Sequence, residues 1–355
     1  MPLLEEDGFA KLLKNDIRDN LFFIFGDDDY LKGFYCDRLV AKTVDESMKL
    51  FNYHVYQDDS TDLETIFAEA ENLPMMAERT CLLVRNYPLQ DLKKEQLARL
   101  EQMLDNLPET SVLIFFFNTI PVTYNGGKSG KWGGVVSMFL KRGVVVRLDH
   151  RSKEKIAAML VRGAKERGAV IGQAEALYFA ECVGDDLQFL LNEFNKLCAY
   201  SEGQPITKEM IDVTAVKSVE ANVFEISASI FGGNTDKAFA IANELIRQKT
   251  ELQPILGAMA SAYVDIYRLK AALNAGRHTA DFADAFGYKG NSSYRFRKID
   301  GFARKSSIGS IRKAIDILAE ADVRSKSSGA DGAILLTETI AKLASCVSAG
   351  AAKKQ

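Results

Sequence analysis

A chain of 355 residues with 47% hydrophobic and 26% charged residues is too long for one ordinary core and too apolar to stay disordered, so two or three packed domains are expected. A formal net charge of −3 argues against a protein that holds nucleic acid by bulk charge, while leaving room for a local basic patch. The five widely spaced cysteines and three scattered histidines offer neither a disulfide framework nor a metal-ligand cluster, and neither a signal-peptide core nor an uncharged apolar run of about 18 residues occurs; the reading is a cytoplasmic protein with free thiols, no bound metal or cofactor and no membrane span.

Between residues 21 and 148, apolar runs alternate with amphipathic stretches. Leu21–Phe25, Phe51–Tyr56, Thr80–Val84, Val112–Phe117 and Val144–Leu148 are the expected strands, and their continuous apolar character is that of strands buried on both faces. Residues 62–72 place Leu63, Ile66, Phe67 and Ala70 on one helical face, with Thr61 and Glu64 as a capping box. Leu73-Pro74 is expected to end that helix, leaving Met75 and Met76 on a turn. A methionine pair suits either a core position or a contact surface, because the side chain fills irregular gaps in both. The economical arrangement is a mostly parallel five-stranded sheet covered by helices on both sides.

Strand signals stop near Ser152. Helices are expected at 152–167, 173–182 and 185–200, ended by Gly168, Gly184 and Gly203. After Ser218 more follow near 222–231, 235–248, 253–275, 308–325 and 331–347, with Pro254 suited to a first helical turn. The expected organisation is α/β plus all-α: an α/β domain at 1–150, a three-helix domain at 151–218 and a helical bundle at 219–355.

An open α/β sheet binds ligands beyond the carboxyl ends of its strands, so the loop after the first strand is where nucleotide chemistry would stand. A phosphate-binding loop needs Gly-x-x-x-x-Gly-Lys-Ser/Thr there; this chain has Gly26-Asp27-Asp28-Asp29-Tyr30-Leu31-Lys32-Gly33, whose three carboxylates repel a triphosphate. The aspartates suit a helix N-terminus, where they cap N–H groups and complement the dipole. Asn125-Gly126-Gly127-Lys128-Ser129-Gly130 copies the end of that motif, but it follows the fourth strand and has Val122 where the first glycine should be, which fits a solvated loop better. No Asp-Glu pair follows Phe115-Phe116-Phe117-Asn118, and no Ser-His-Asp or Cys-His spacing exists, so no catalytic residue is expected. Residues 287–326 carry ten basic against four acidic residues with Tyr288, Tyr294, Phe296 and Phe302 interleaved, a composition suited either to nucleic acid or to a solvated helix face.

In this order and spacing, several segments together resemble one family, the delta subunit of the bacterial DNA polymerase III clamp loader. They are Phe23-Ile24-Phe25-Gly26-Asp27-Asp28-Asp29-Tyr30-Leu31, Thr61-Asp62-Leu63, Leu73-Pro74-Met75-Met76-Ala77-Glu78-Arg79, Gly184-Asp185-Asp186-Leu187, Asn192-Glu193-Phe194-Asn195-Lys196-Leu197, Ile206-Thr207, Val223-Phe224-Glu225-Ile226, Pro254-Ile255-Leu256 and Glu320-Ala321-Asp322. The resemblance implies an AAA+-like fold without a working ATP site, a small lid domain and a helical collar that joins other loader subunits. It implies docking on a ring-shaped sliding clamp, help in opening that ring for loading on primed DNA during replication, and ATP use by neighbouring subunits, so that the chain serves a DNA polymerase without chemistry of its own. The family's clamp contact is a pair of large apolar residues after the helix that precedes the third strand, and Leu73, Met75 and Met76 stand at that place. Arg295, Arg297, Lys298, Arg304 and Lys305 of the collar are the candidates for DNA contact. Two other readings compete: a nonstandard ATPase using the loop 125–131, and a DNA-binding adaptor acting through 287–326.

Overall fold

A computed structural model describes residues 3–127, 130–277, 292–327, 329 and 331–352, with side chains left aside at 292–298 and 348–352. The chain divides into two compact units, Met1–His150 and Arg151–Gln355.

The first unit is built on strands β1 (Leu21–Phe25), β2 (Tyr53–Gln57), β3 (Thr80–Arg85), β4 (Ser111–Phe116) and β5 (Val144–Arg147), all parallel, in the order β2-β3-β4-β1-β5. Helices α1 (Glu6–Leu12), α2 (Asp29–Thr43), α3 (Lys49–Asn52), α4 (Leu63–Ala70), α5 (Lys94–Asp105) and α6 (Gly130–Arg142) surround it. Side chains alternate across a strand, so Phe22 and Ile24 face one side while Leu21, Phe23 and Phe25 face the other. Phe22 meets Phe9 of α1 at 6.4 Å between ring centroids, and Phe23 meets Phe139 of α6 at 4.8 Å. Both faces of β1 are therefore covered, which is why its sequence is apolar throughout. The face carrying Phe23 also holds Phe117 and Trp132, whose rings pack edge to face at 5.2 Å, an arrangement worth about 0.5–1.5 kcal/mol beyond area burial.

Helix α4 lays Leu63, Ile66, Phe67 and Ala70 onto this same core. Its start differs from the expected capping box: Asp62 caps the helix, its carboxylate accepting the Thr65 N–H at 2.8 Å and the Thr65 hydroxyl at 2.9 Å. A carboxylate one residue closer to the first turn displaces Thr61 from that role. The helix also stops at Ala70, before Leu73-Pro74, and the chain then runs in bends to Arg79.

The second unit contains the expected helices α7 (Lys153–Glu166), α8 (Gln173–Val183) and α9 (Leu187–Tyr200), followed by a short α10 (Lys208–Thr214). Two-residue strands β6 (Val170–Ile171) and β7 (Pro205–Ile206) pair in parallel, so strand structure does recur after Ser152, in segments too short to show a period. Beyond them come α11 (Val219–Phe231), α12 (Thr235–Arg247), α13 (Leu252–Asn274), α14 (Ser292–Lys305), α15 (Ile308–Ser327) and α16 (Gly332–Ala352). Val223, Ile226, Leu245, Tyr263, Leu318 and Leu336 belong to one core, and Ile266, Leu269, Ile299, Ala303 and Ile311 to a second that holds α14 against α13.

Candidate functional site

The turn after β1 is where the sheet topology would place a phosphate, and the chain's own side chains and backbone occupy it. Gly26 has φ +136°, and a Cβ there would come within 2.1 Å of the Leu148 carbonyl oxygen, so only glycine allows this approach of β1 to the end of β5. Asp28 is the N-cap of α2, its buried carboxylate accepting the Leu31 N–H at 2.9 Å. The Asp27 N–H donates to the Asp149 carboxylate at 3.3 Å and the Asp28 N–H to the Leu148 carbonyl at 3.1 Å. His150 Nδ1 lies 3.3 Å from the second oxygen of Asp28. The carboxylates of Asp28 and Asp149 thus take N–H donors of the kind that a nucleotide phosphate seeks at a helix start.

Lys32, one turn into α2, is only 2% exposed. Its ammonium donates to the carbonyl oxygens of Gly26 and Phe117, each at 2.8 Å, and pairs with the exposed carboxylate of Asp29 at 2.8 Å. A phosphate-binding loop turns its N–H groups toward an anion and extends its lysine to meet it. Here two carbonyls turn inward and the lysine answers them, an inverted polarity that closes the crevice between the ends of β1 and β4. Asn86 fixes the β4 side of this crevice: its Oδ1 accepts the N–H groups of Asn118 at 2.9 Å and Thr119 at 3.0 Å, and its Nδ2 donates to Asn118 Oδ1 at 2.7 Å. Buried and at φ +52°, Asn86 stands at the end of β3 next to Arg85, so that strand also ends without a carboxylate to hold Mg²⁺. Lys32 and Asn86 escaped sequence reading because each has a partner more than 30 positions away, Phe117 for Lys32 and Asn118 for Asn86. The loop that imitates a phosphate motif is exposed at Asn125, Gly126 and Gly127; Lys128 and Ser129 lie outside the described residues, and the ammonium of Lys131 pairs with Asp91 at 3.1 Å.

Beyond α4, the side chains of Leu73, Met75 and Met76 are 85%, 55% and 87% exposed. The alternative of a core position for the pair is thereby excluded. Their backbone is not free: Asn52 at the end of α3 is fully buried, its Oδ1 accepting the Met75 N–H at 2.7 Å while its Nδ2 donates to the Met75 carbonyl at 2.9 Å. Met76 sits at φ +53°, a left-handed conformation that a residue with a Cβ adopts only when its surroundings enforce it. The pair is thus an apolar projection on a fixed bend.

Of the collar candidates, Arg295, Arg297 and Lys298 lie on α14, and their side chains are outside the described set. Arg304 and Lys305 are exposed on the last turn of the same helix, and Arg304 donates to Asp300 at 2.6 Å, which raises the guanidinium's already high pKa. Phe302 is not available to stack on a base: its ring lies against Phe231 at 4.9 Å and near-parallel, and against Phe224 at 5.9 Å. Tyr288 falls outside the described residues. Among the described residues no group of three or more His, Cys, Asp or Glu side chains could hold a metal ion, and no helix is long and apolar enough to cross a membrane.

Comparison with known proteins matches residues 22–122 to the family described as DNA polymerase III, delta subunit, and residues 220–343 to the DNA polymerase III delta subunit, C-terminal domain. The chain belongs to the DNA polymerase III delta subunit family. Its function, at that level, is that of a clamp loader delta subunit of DNA polymerase III. It is similar to the DNA polymerase III subunit delta of Bacillus subtilis (strain 168), with 22% identity over 333 residues covering 93% of this chain and 94% of the relative. The probable DNA polymerase III subunit delta of Aquifex aeolicus (strain VF5) is 22% identical over 317 residues, 87% of each chain. Among solved structures, the Bacillus subtilis DNA clamp loader delta protein superposes with a TM-score of 0.62 at 21% identity, covering 95% of this chain and 98% of that one, which shows the fold the two share.

Proposed function

We propose that this delta-family chain docks on the ring-shaped sliding clamp through Leu73, Met75 and Met76, helps to open the ring for loading on primed DNA, and does so without hydrolysing ATP itself. The observation that carries the docking is the solvent-exposed methionine pair held on a bend by a buried asparagine, at the place where the family resemblance expects the clamp contact. Large apolar side chains with fixed backbone give up water on docking while losing little backbone freedom. Work on the ring then comes from preference: the protein binds the opened interface better than the closed one and shifts the equilibrium by that difference. The ATP-independent part of the reading is supported by the inverted polarity at Gly26, Asp28 and Lys32.

We further propose that the second unit comprises a lid, residues 151–218, and a collar, residues 219–355, which assembles with the other loader subunits in the cytoplasm. Ser218 supports that boundary: it caps α11 through its hydroxyl, which accepts the Ala221 N–H at 3.1 Å.

The deciding experiment is binding of the full chain to its sliding clamp with Met75→Ala and Met76→Ala combined. Loss of binding with an unchanged melting temperature is expected; parent-like affinity removes the assignment. A second reading rests on the exposed Arg304 and Lys305 of α14, which with Arg295, Arg297 and Lys298 would meet DNA phosphates. Its mark is DNA binding by the chain that falls steeply with salt and is weakened by charge removal on α14.

A further inference from the structure

The methionine pair is one of two exposed apolar segments that a single buried side chain ties together. Helix α3 places Leu50 and Phe51 in solvent, 83% and 52% exposed, immediately before Asn52. That residue's amide donates to the Met48 carbonyl at 3.2 Å as well as pairing in both directions with the backbone of Met75. The amide therefore makes three hydrogen bonds from a fully buried position, joining α3 to the bend after α4 across 23 residues of sequence. Of the seven large apolar side chains that the first unit exposes among its described residues, Phe34, Leu50, Phe51, Val55, Leu73, Met75 and Met76, five lie on these two segments. A monomer's isolated apolar residue needs no explanation, but a concentration of this kind marks a contact surface.

We infer that α3 and the 73–76 bend form one composite docking surface for the sliding clamp, with Leu50 and Phe51 as a second anchor and Asn52 as the residue that sets the geometry between them. The inference rests on the docking proposed above, and the clamp is the occupant because α3 is continuous, through Asn52, with the segment assigned to it. The two parts contribute differently. Methionine side chains carry several rotatable bonds and adapt to an irregular pocket, whereas Phe51 offers rigid area with little rotamer freedom to lose. An adaptable pair and a rigid ring held at fixed separation discriminate between two shapes of the same surface better than either does alone, which is what a preference for the opened ring requires. The left-handed Met76 fits this account: its conformation is one the surroundings impose, and the two Asn52 bonds to Met75 are the visible constraint beside it.

The test measures equilibrium binding of the full-length chain to the sliding clamp of the same organism, with thermal melting recorded for every variant. Leu50→Ala with Phe51→Ala should fold as the parent does, since both side chains are exposed, and weaken binding by about tenfold or more. Asn52→Ala should also weaken binding, and its loss should add less than fully to that of Met75→Ala, because part of what Asn52 does is to place that side chain. If Leu50→Ala/Phe51→Ala binds like the parent while Met75→Ala/Met76→Ala does not, the second anchor is wrong and the docking proposal stands. If the Asn52 and Met75 losses add fully, Asn52 does not position the bend and the composite surface falls. Parent-like binding by every variant overturns both this inference and the docking it rests on.

Discussion

Replacing Lys32 by methionine tests whether the closed crevice is held by the buried ammonium or by its ion pair. The substitution keeps an unbranched apolar stem, one atom shorter, while removing the ammonium, so the carbonyl oxygens of Gly26 and Phe117 lose the donor that now lies 2.8 Å from each. An acceptor orphaned away from water costs about 1–3 kcal/mol, and the two together would cost about 2–6 kcal/mol. Relief from burying a charge offsets part of this, leaving an expected loss of about 3 kcal/mol. Asp29→Ala removes only a partner that is 70% exposed, and pairs of that kind contribute at most about 1 kcal/mol. The chain's one tryptophan, Trp132, is buried in the first unit against Phe117 and Phe23, so its fluorescence reports unfolding of this unit and not of the helical one. With a urea dependence of about 2 kcal/mol per molar, Lys32→Met should lower the midpoint by about 1.5 M and Asp29→Ala by less than about 0.5 M. An unchanged midpoint for Lys32→Met, or equal shifts for both variants, would refute the assignment of the ammonium to the two carbonyls.

Three further outcomes are expected. If the phosphate place is filled from within, clamp affinity of the purified chain should be the same with and without ATP and Mg²⁺, and calorimetric titration with ATP should give no saturable heat; a nucleotide-dependent affinity would reinstate the ATPase reading. Arg324 donates to Glu338 at 2.8 Å and Lys342 lies 2.9 Å from it, and these partners hold the Glu338 carboxyl down at about 2 from its ordinary 4.5. A lowered folded-state value means the contribution is complete above the ordinary value and is lost as pH falls from about 4.5 toward about 2, so Glu338→Gln should flatten that part of an acid-unfolding curve followed by circular dichroism, and an unaltered curve would count against the ion pair. Burial pushes the Cys36 thiol up to about 12, with Asp37 adding to the shift, and raises Cys81 as well. Mass-spectrometric mapping after thiol labelling at pH 8 should find both unmodified until the first unit is denatured; rapid native labelling of either would show the strand-helix layer to be open.

How much of this was legible in the sequence varied with the distance over which a residue acts. The central strands could be read because Leu21–Phe25 and Val112–Phe116 are apolar on both faces, and only a doubly covered parallel strand requires that. The lack of a phosphate motif was legible too, as a local string of aspartates. What fills its place was not: Lys32 looks like a solvated residue in a charged turn, and its burial depends on β4 ending beside β1, 85 residues along the chain. Asn52 was hidden in the same way, a polar residue after two apolar ones whose partner is a backbone 23 positions away. The exposure of Met75 and Met76 likewise required the structure, since composition suits a methionine pair to a core or to a contact. Helix α14 was obscured by its basic residues, although Ile299 and Ala303, one turn apart, supply the face it buries.

Lys32 and Asn52 also define what kind of machine part the first unit is. A nucleotide-driven subunit changes shape because ligand and empty states differ in which N–H groups and which lysine are satisfied. Here the Lys32 ammonium satisfies the Gly26 and Phe117 carbonyls, and the Asp28 carboxylate accepts the Leu31 N–H, within a single arrangement. Under the proposed ATP-independent role, no ligand-dependent difference at that crevice is left to transmit, since a site without differential free energy between two states cannot drive a switch. The same rigidity favours the proposed docking bend, because a projection locked through Asn52 loses little freedom on binding and holds its apolar side chains at fixed spacing. On this reading any timing of clamp engagement must be imposed from outside, by neighbours that expose or cover the 73–76 bend, and the chain itself contributes a constant preference for one form of the ring.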